Sequence, residues 1–218
     1  MNAREQFADV VVGAAALLGR VALVRREFEA AAVWSRRALD QHRSEHGPDA
    51  GFDYALETLA RVALAAQDHD EAASGLDGVG RGPDPWCYHG RLIGEARRVG
   101  CRCCEAEVAL ARGEIDVARE MLRGALAWAI RADLVAAALG VIASAARYFR
   151  VVGQVERAQR MLRYVCAHPR ATYEARAGAA FELGSGAGEV AVGCDDGIVG
   201  VREVAASVAA ALAATDAA

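Results

Sequence analysis

Small residues recur along this chain at a nearly constant interval. In the segments 25–39 (RREFEAAAVWSRRAL), 66–80 (AQDHDEAASGLDGVG), 112–126 (RGEIDVAREMLRGAL) and 152–166 (VGQVERAQRMLRYVC), the same place is held by Ala31, Ala72, Ala118 and Ala158, at spacings of 41, 46 and 40 residues. Ser35, Leu76, Leu122 and Leu162 follow four positions later, and Ala38, Val79, Ala125 and Val165 seven positions later. Offsets of four and seven fall on one face of an α-helix. A second helical stretch precedes each of these, as in LLGRVALV and ETLARVALAA. The pattern predicts antiparallel helix pairs over residues 7–167, with the four alanines buried where paired helices approach most closely.

Polar punctuation marks the joints. EHGPDAG (45–51) and GRGPDP (80–85) carry Gly and Pro where one helix must stop and another begin. HPRATYEARAGAAFELG reads as a closing helix, and the GSGAG run at 184–188 reads as a flexible linker, because no strand pattern precedes it as a phosphate-binding loop would require. In the tail, IVGVREVAASVAAALAA (198–214) puts Val201, Val204, Val208 and Leu212 on one helical face, suited to capping the domain or to docking elsewhere. The expected organisation is a helical domain over residues 1–184, a Gly-rich linker over 185–197 and an Ala/Val-rich helix within 198–218.

These residues resemble the tetratricopeptide repeat family. The resemblance covers residues 7–167 and rests on Leu18, Gly19 and Ala22 in the first unit, Leu59, Ala60 and Ala63 in the second, the RGEID turn in the third, and Phe149, Gly153 and Ala158 in the fourth. Two departures stand out: the spacing exceeds the family's usual length of about 34 residues, and Glu105 stands where the third unit should carry Leu. The long spacing and CAHPRATYEARAGAAFEL are similar to the helical-repeat arms of bacterial signal-transduction ATPases and transcription regulators. The resemblance implies an all-α, right-handed solenoid of about four helix pairs plus C-terminal helices. One pair cannot bury its own apolar face, so stacked neighbours share a continuous core and leave a groove on one side.

Composition narrows the chemistry. All 25 basic residues of the 218 are Arg, which excludes a Walker-type or Schiff-base lysine. Pro is scarce at four residues and aromatics make up 6%, consistent with helices packed through small side chains. A net charge of −4 exerts no global pull toward nucleic acid or anionic membrane. The cysteines Cys87, Cys101, Cys103, Cys104, Cys166 and Cys194 do not have the spacing of a disulfide-stapled secreted domain, so a reducing cytoplasm is expected. Residues 7–24 are apolar, but Glu5 and Asp9 spoil a signal peptide and Arg20 interrupts a span.

Two patterns carry metal-ligand types. Cys87, His89, Cys101 and Cys104 are acceptable to zinc. In one continuous helix, however, Cys87 and Cys101 would lie about 21 Å apart, so a site needs a break at Gly90, Gly94 or Gly100. The competing reading makes Cys101, Cys104 and Val108 one buried helical face. A redox or regulatory thiol is the third. HRSEH (42–46) matches the inverted zinc-peptidase pattern, but at a helix end before Gly47 and Pro48, where histidines are favoured by the helix dipole. No bound metal, cofactor or catalytic residue is expected.

Charge is unevenly distributed. Residues 147–170 carry Arg147, Arg150, Arg157, Arg160, Arg163 and Arg170 against Glu156 alone, while the tail from 186 carries Glu189, Asp195, Asp196, Glu203 and Asp216 against Arg202. The first helix of each pair lines the groove in tetratricopeptide arrays, and that rule puts Arg20, Arg61, Glu107 and Arg147 at equivalent groove positions. Arg150 lies one turn beyond, and Tyr54, Glu57, Leu23 and Leu64 line the wall between. Clustered guanidiniums bind carboxylates bidentately. The expected function is therefore a protein-interaction or regulatory scaffold that takes an acidic peptide or partner protein, with its own acidic tail as a competitor, and no nucleic acid or membrane. The competing reading of the same arginines is that they are solvated or paired with Glu57 and Glu107. The alternative functions are a ligand-sensing arm of a signal-transduction regulator and a metal-dependent enzyme.

Overall fold

The computed structural model describes residues 3–48, 52–79, 91–184 and 200–214, with side chains from residue 10 and, after the second gap, from residue 94. Ten α-helices and no strand occur among the described residues: α1 Ala3–Val24, α2 Phe28–His46, α3 Asp53–Ala65, α4 His69–Leu76, α5 Arg91–Ala111, α6 Ile115–Arg131, α7 Val135–Val151, α8 Val155–Ala167, α9 Tyr173–Glu182 and α10 Val201–Ala214. The fold is all-α. None of the described helices is long and apolar enough to cross a membrane.

One turn geometry recurs in the connections α1–α2, α3–α4, α5–α6 and α7–α8. The residues Arg26, Gln67, Gly113 and Gly153 adopt positive φ, at +62°, +62°, +79° and +81°. The amide of the next residue then reaches back five positions, in Glu27→Ala22, Asp68→Ala63, Glu114→Ala109 and Gln154→Phe149, at 2.9, 2.9, 2.8 and 2.7 Å. A left-handed residue with this long back-bond satisfies carbonyls that a helix end would otherwise leave open. Each left-handed residue stands five positions before Ala31, Ala72, Ala118 or Ala158, and all four alanines are buried. Asp133 makes a similar turn between α6 and α7.

The chain divides into two compact units, residues 1–104 and 105–218, the division falling within α5. In the first unit α1 packs on α2, α2 on α3 and α3 on α4, and α1 also meets α3. Its core gathers Val12, Ala15, Ala16, Ala38, Leu39, Phe52, Ala55 and Leu56, with Trp34, Tyr54, Leu59 and Val79 packed around them. Cys101, Cys103 and Cys104 are buried.

In the second unit α6, α7, α8 and α9 pack in succession, and α7 also meets α9. Fully buried Leu122, Leu126, Leu139, Ile142, Tyr148, Phe149 and Val165 make up much of its interior. Thr172 caps α9 by accepting from the Ala175 amide at 3.1 Å, and Arg176 donates to the carbonyls of His168 and Ala171, tying down the link from α8. Helix α10 lies against α6 and α7, burying Val201, Ala205, Val208 and Leu212. Val204, expected on that face, is half-buried and Ala205 takes the position instead. The Gly-rich linker and the acidic residues Glu189, Asp195, Asp196 and Asp216 lie outside the described residues.

Candidate functional site

The expected groove residues form two clusters, one in each unit. In the first, Glu57 is buried on α3 and clasped by Arg20 of α1 at 3.1 Å and by Arg61, one turn along its own helix, at 3.0 Å. Burial by itself would raise the Glu57 carboxyl's pKa. The two guanidiniums and their hydrogen bonds outweigh burial, so the value lies below the ordinary glutamate range. Tyr54 joins the cluster through its ring face, with the guanidinium carbons of Arg20 and Arg97 5.0 and 5.4 Å from the ring centroid. Gly100 of α5 lets the carboxylate come close, because a Cβ there would stand 3.3 Å from the Glu57 Oε2.

In the second unit Glu107 of α5 accepts from Ser144 Oγ at 2.7 Å and pairs with Arg147 of α7. Arg147 also donates through Nε to Glu182 of α9, whose other oxygen takes Arg150 at 2.6 Å. One carboxylate is thus held by two arginines from a single helix turn. Arg150 keeps 49% of its side-chain surface exposed and Arg147 32%, whereas Glu107 and Glu182 are largely buried.

The structure therefore brings Arg20, Tyr54, Glu57 and Arg61 together, and likewise Glu107, Arg147 and Arg150. In both clusters the arginines are engaged by carboxylates: Arg20 by Glu57 of α3, Arg61 by Glu57 of its own helix, Arg147 by Glu107 of α5 and Glu182 of α9, and Arg150 by Glu182. Arg97, Gly100, Ser144 and Glu182 were not anticipated. Glu182 had a signal: it lies 35 residues after Arg147, much as Glu57 lies 37 after Arg20. The remaining arginines of the basic run are less tied. Arg160, Arg163 and Arg170 are exposed, with Arg160 3.9 Å from Glu156, while Arg157 donates to Gln154 and lies over the Phe149 ring.

The metal-type patterns are placed as follows. Cys87 and His89 lie outside the described residues. In HRSEH, His42 is wholly buried, its ring 5.5 Å from that of Phe52 and 4.4 Å from that of exposed His46, while Glu45 accepts from Gln41 at 2.5 Å. Among the described residues no group of three His, Cys, Asp or Glu side chains is placed to hold a metal ion. Burial raises the Cys166 thiol pKa against the pull of Arg176; burial and Arg170 lower that of His168.

No family model, curated protein or solved structure matches this chain.

Proposed function

We propose that the chain is a protein-interaction or regulatory module rather than an enzyme. In this reading it is a right-handed solenoid of four tetratricopeptide-like helix pairs with additional C-terminal helices, and it binds an acidic extended peptide or a partner's carboxylate at the end of α7. The recurring left-handed turn at Arg26, Gln67, Gly113 and Gly153, in step with the buried alanines, supports the repeat. The observation that carries the binding reading is the convergence of Arg147 and Arg150 on the Glu182 carboxylate. The guanidiniums are already set at the spacing a carboxylate requires, so little side-chain entropy remains to be lost on binding. Arg150, half exposed, retains donors that face solvent, and Phe181 and Val151, both exposed, supply apolar surface on the same two helices.

The first-unit cluster is a poorer receptor, because Arg20 and Arg61 are more deeply buried around Glu57. The acidic tail is the intramolecular competitor. Its removal is not the right test, since α10 supplies fully buried Val208 and Leu212 to the second unit. Neutralising Glu189, Asp195 and Asp196 leaves that helix in place.

Fluorescence anisotropy with a labelled Asp/Glu-rich peptide tests the reading. Arg150→Ala should weaken binding roughly tenfold, the loss expected of one charge-assisted contact, and more at low salt than at high. Arg61→Ala should leave it nearly unchanged, and neutralising the tail should strengthen it. An affinity indifferent to Arg150, or an absence of peptide binding at any salt, would overturn the proposal.

A further inference from the structure

The outward face of α1 is apolar and uncovered. Val10, Val11, Leu17, Leu18 and Val21 are all exposed, from 37% for Val11 to 67% for Val10, and Ala14 between them is exposed as well. The opposite face of the same helix, with Val12, Ala15, Ala16 and Ala22, is buried. Six apolar positions within three turns form one patch of a few hundred Å², the size at which a surface patch commonly marks an interaction site.

We propose that this face pairs with the same face of a second copy of the chain, as an antiparallel two-fold helix pair. Val10, Ala14, Leu17 and Val21 are spaced four, three and four residues apart, the repeat by which one helix packs its knobs into the holes of another. The stripe is complementary to itself. About a two-fold axis between Ala14 and Leu17, Val10 faces Val21 of the second copy and Ala14 faces its Leu17, so a small residue meets a large one at the centre. Antiparallel alignment also opposes the two helix dipoles favourably.

The composition of the face favours a protein over a lipid surface. From Val10 to Val24 the one charged residue is Arg20, and it is turned inward to Glu57. A helix lying on an anionic membrane carries several basic residues beside its apolar stripe. A pair of such faces buries on the order of 1,000 Å², at the low end for specific interfaces, so the dimer should be reversible, with a dissociation constant in the micromolar range.

Sedimentation equilibrium of the full chain across a concentration series tests this. The expected result is a monomer–dimer equilibrium, weakened at least tenfold by Leu17→Glu, with the circular dichroism melting curve unchanged because the position is exposed. Val10→Glu and Val21→Arg should each weaken it too. The antiparallel register adds a sharper expectation, that V10E and V21R in one chain restore association, since each new acid faces a new base. A parallel pair would place like charges together and would not be rescued. A monomer at every concentration up to about 100 µM overturns the proposal, as does a monomer that binds anionic vesicles through Leu17, or a dimer untouched by Leu17→Glu.

Discussion

Gly19 and Ser35 meet where α1 crosses α2, so closely that a methyl group on the glycine would collide with the serine Oγ. The Ala31 carbonyl and the Ser35 amide stand 3.3 and 3.4 Å from the same point, so backbone as well as side chain closes the space. The Ser35 hydroxyl is buried and has no hydrogen-bond partner among the described residues. Gly19→Ala should therefore cost about 1–3 kcal/mol by overpacking. Ser35→Ala, which removes an unpaired buried hydroxyl, should be near neutral or stabilising. The double variant should lose less than Gly19→Ala alone, a coupling that urea melts of the four proteins would measure. Additive effects would mean that the backbone, not Ser35, limits the approach.

The four recurring turns make a comparison within one molecule. Arg26 and Gln67 hold a left-handed conformation that Gly113 and Gly153 adopt without steric cost. Arg26→Gly and Gln67→Gly should each raise stability by about 0.5–1 kcal/mol, and Gly113→Ala should lower it by about 1 kcal/mol. Thermal melts in which the glycine substitutions destabilise would show that side-chain contacts of Arg26 or Gln67 outweigh the backbone term.

Ala118 is wholly buried on α6, five residues beyond the Gly113 turn. Leu at this site must displace neighbours in an interior without spare volume, and should cost roughly 1–3 kcal/mol. Val117, nearly half exposed next to it, is the control: Val117→Leu should leave the melting temperature within about a degree, as surface substitutions do.

Much of this architecture was legible because its causes are local. A small buried residue early in the helix, with small or apolar residues four and seven positions on, is a local pattern, and Ala31, Ala72, Ala118 and Ala158 show it in sequence, although Val79, seven positions after Ala72, lies past the end of α4 and is only half-buried. The turns were half legible. Gly113 and Gly153 advertise a left-handed residue, whereas Arg26 and Gln67 carry no such mark. Arg20, Arg61, Arg147 and Arg150 stood out in the sequence, but their engagement by carboxylates was only one of the readings, since it depends on which side chains meet across helices not adjacent in the chain. Glu182 is 35 residues from Arg147, in a helix read only as a closing element. Leu18, part of the family resemblance, is nearly half exposed because α1 packs on α2 and α3 through its other face.

The cysteine cluster of the first unit should be chemically quiet. Cys101, Cys103 and Cys104 are buried away from reagent, and at Cys166 burial also pushes the thiol pKa up, so that little thiolate is available there at neutral pH. These four thiols should react with an aromatic disulfide reagent roughly a hundredfold more slowly in the native protein than in denaturant. Peptide mapping of the labelled sites separates them from Cys87 and Cys194. Rapid native labelling at Cys101 or Cys104 would return the redox reading to consideration.

Glu57 makes the first unit sensitive to acid. Burial disfavours its charged form, but Arg20 and Arg61 more than compensate, and the folded-state pKa lies below the ordinary value of 4.5. A carboxyl whose pKa is lower folded than unfolded adds stability that is complete above the unfolded value and is lost as pH falls through the folded one. Glu57→Gln should thus cost roughly 3–5 kcal/mol near neutrality, because two guanidiniums are left without their shared charge. The cost should shrink as pH drops below 4.5, where the unfolded chain takes up this proton, and should fade as pH passes the lower folded value and the wild-type carboxyl also becomes neutral. Melting temperatures of both proteins from pH 7 to pH 3 would trace this convergence. A gap that stayed constant over that range would mean that Glu57 acts through its hydrogen bonds and packing against Gly100 rather than through its charge, and the Arg20–Glu57–Arg61 cluster would then have to be read as a steric joint.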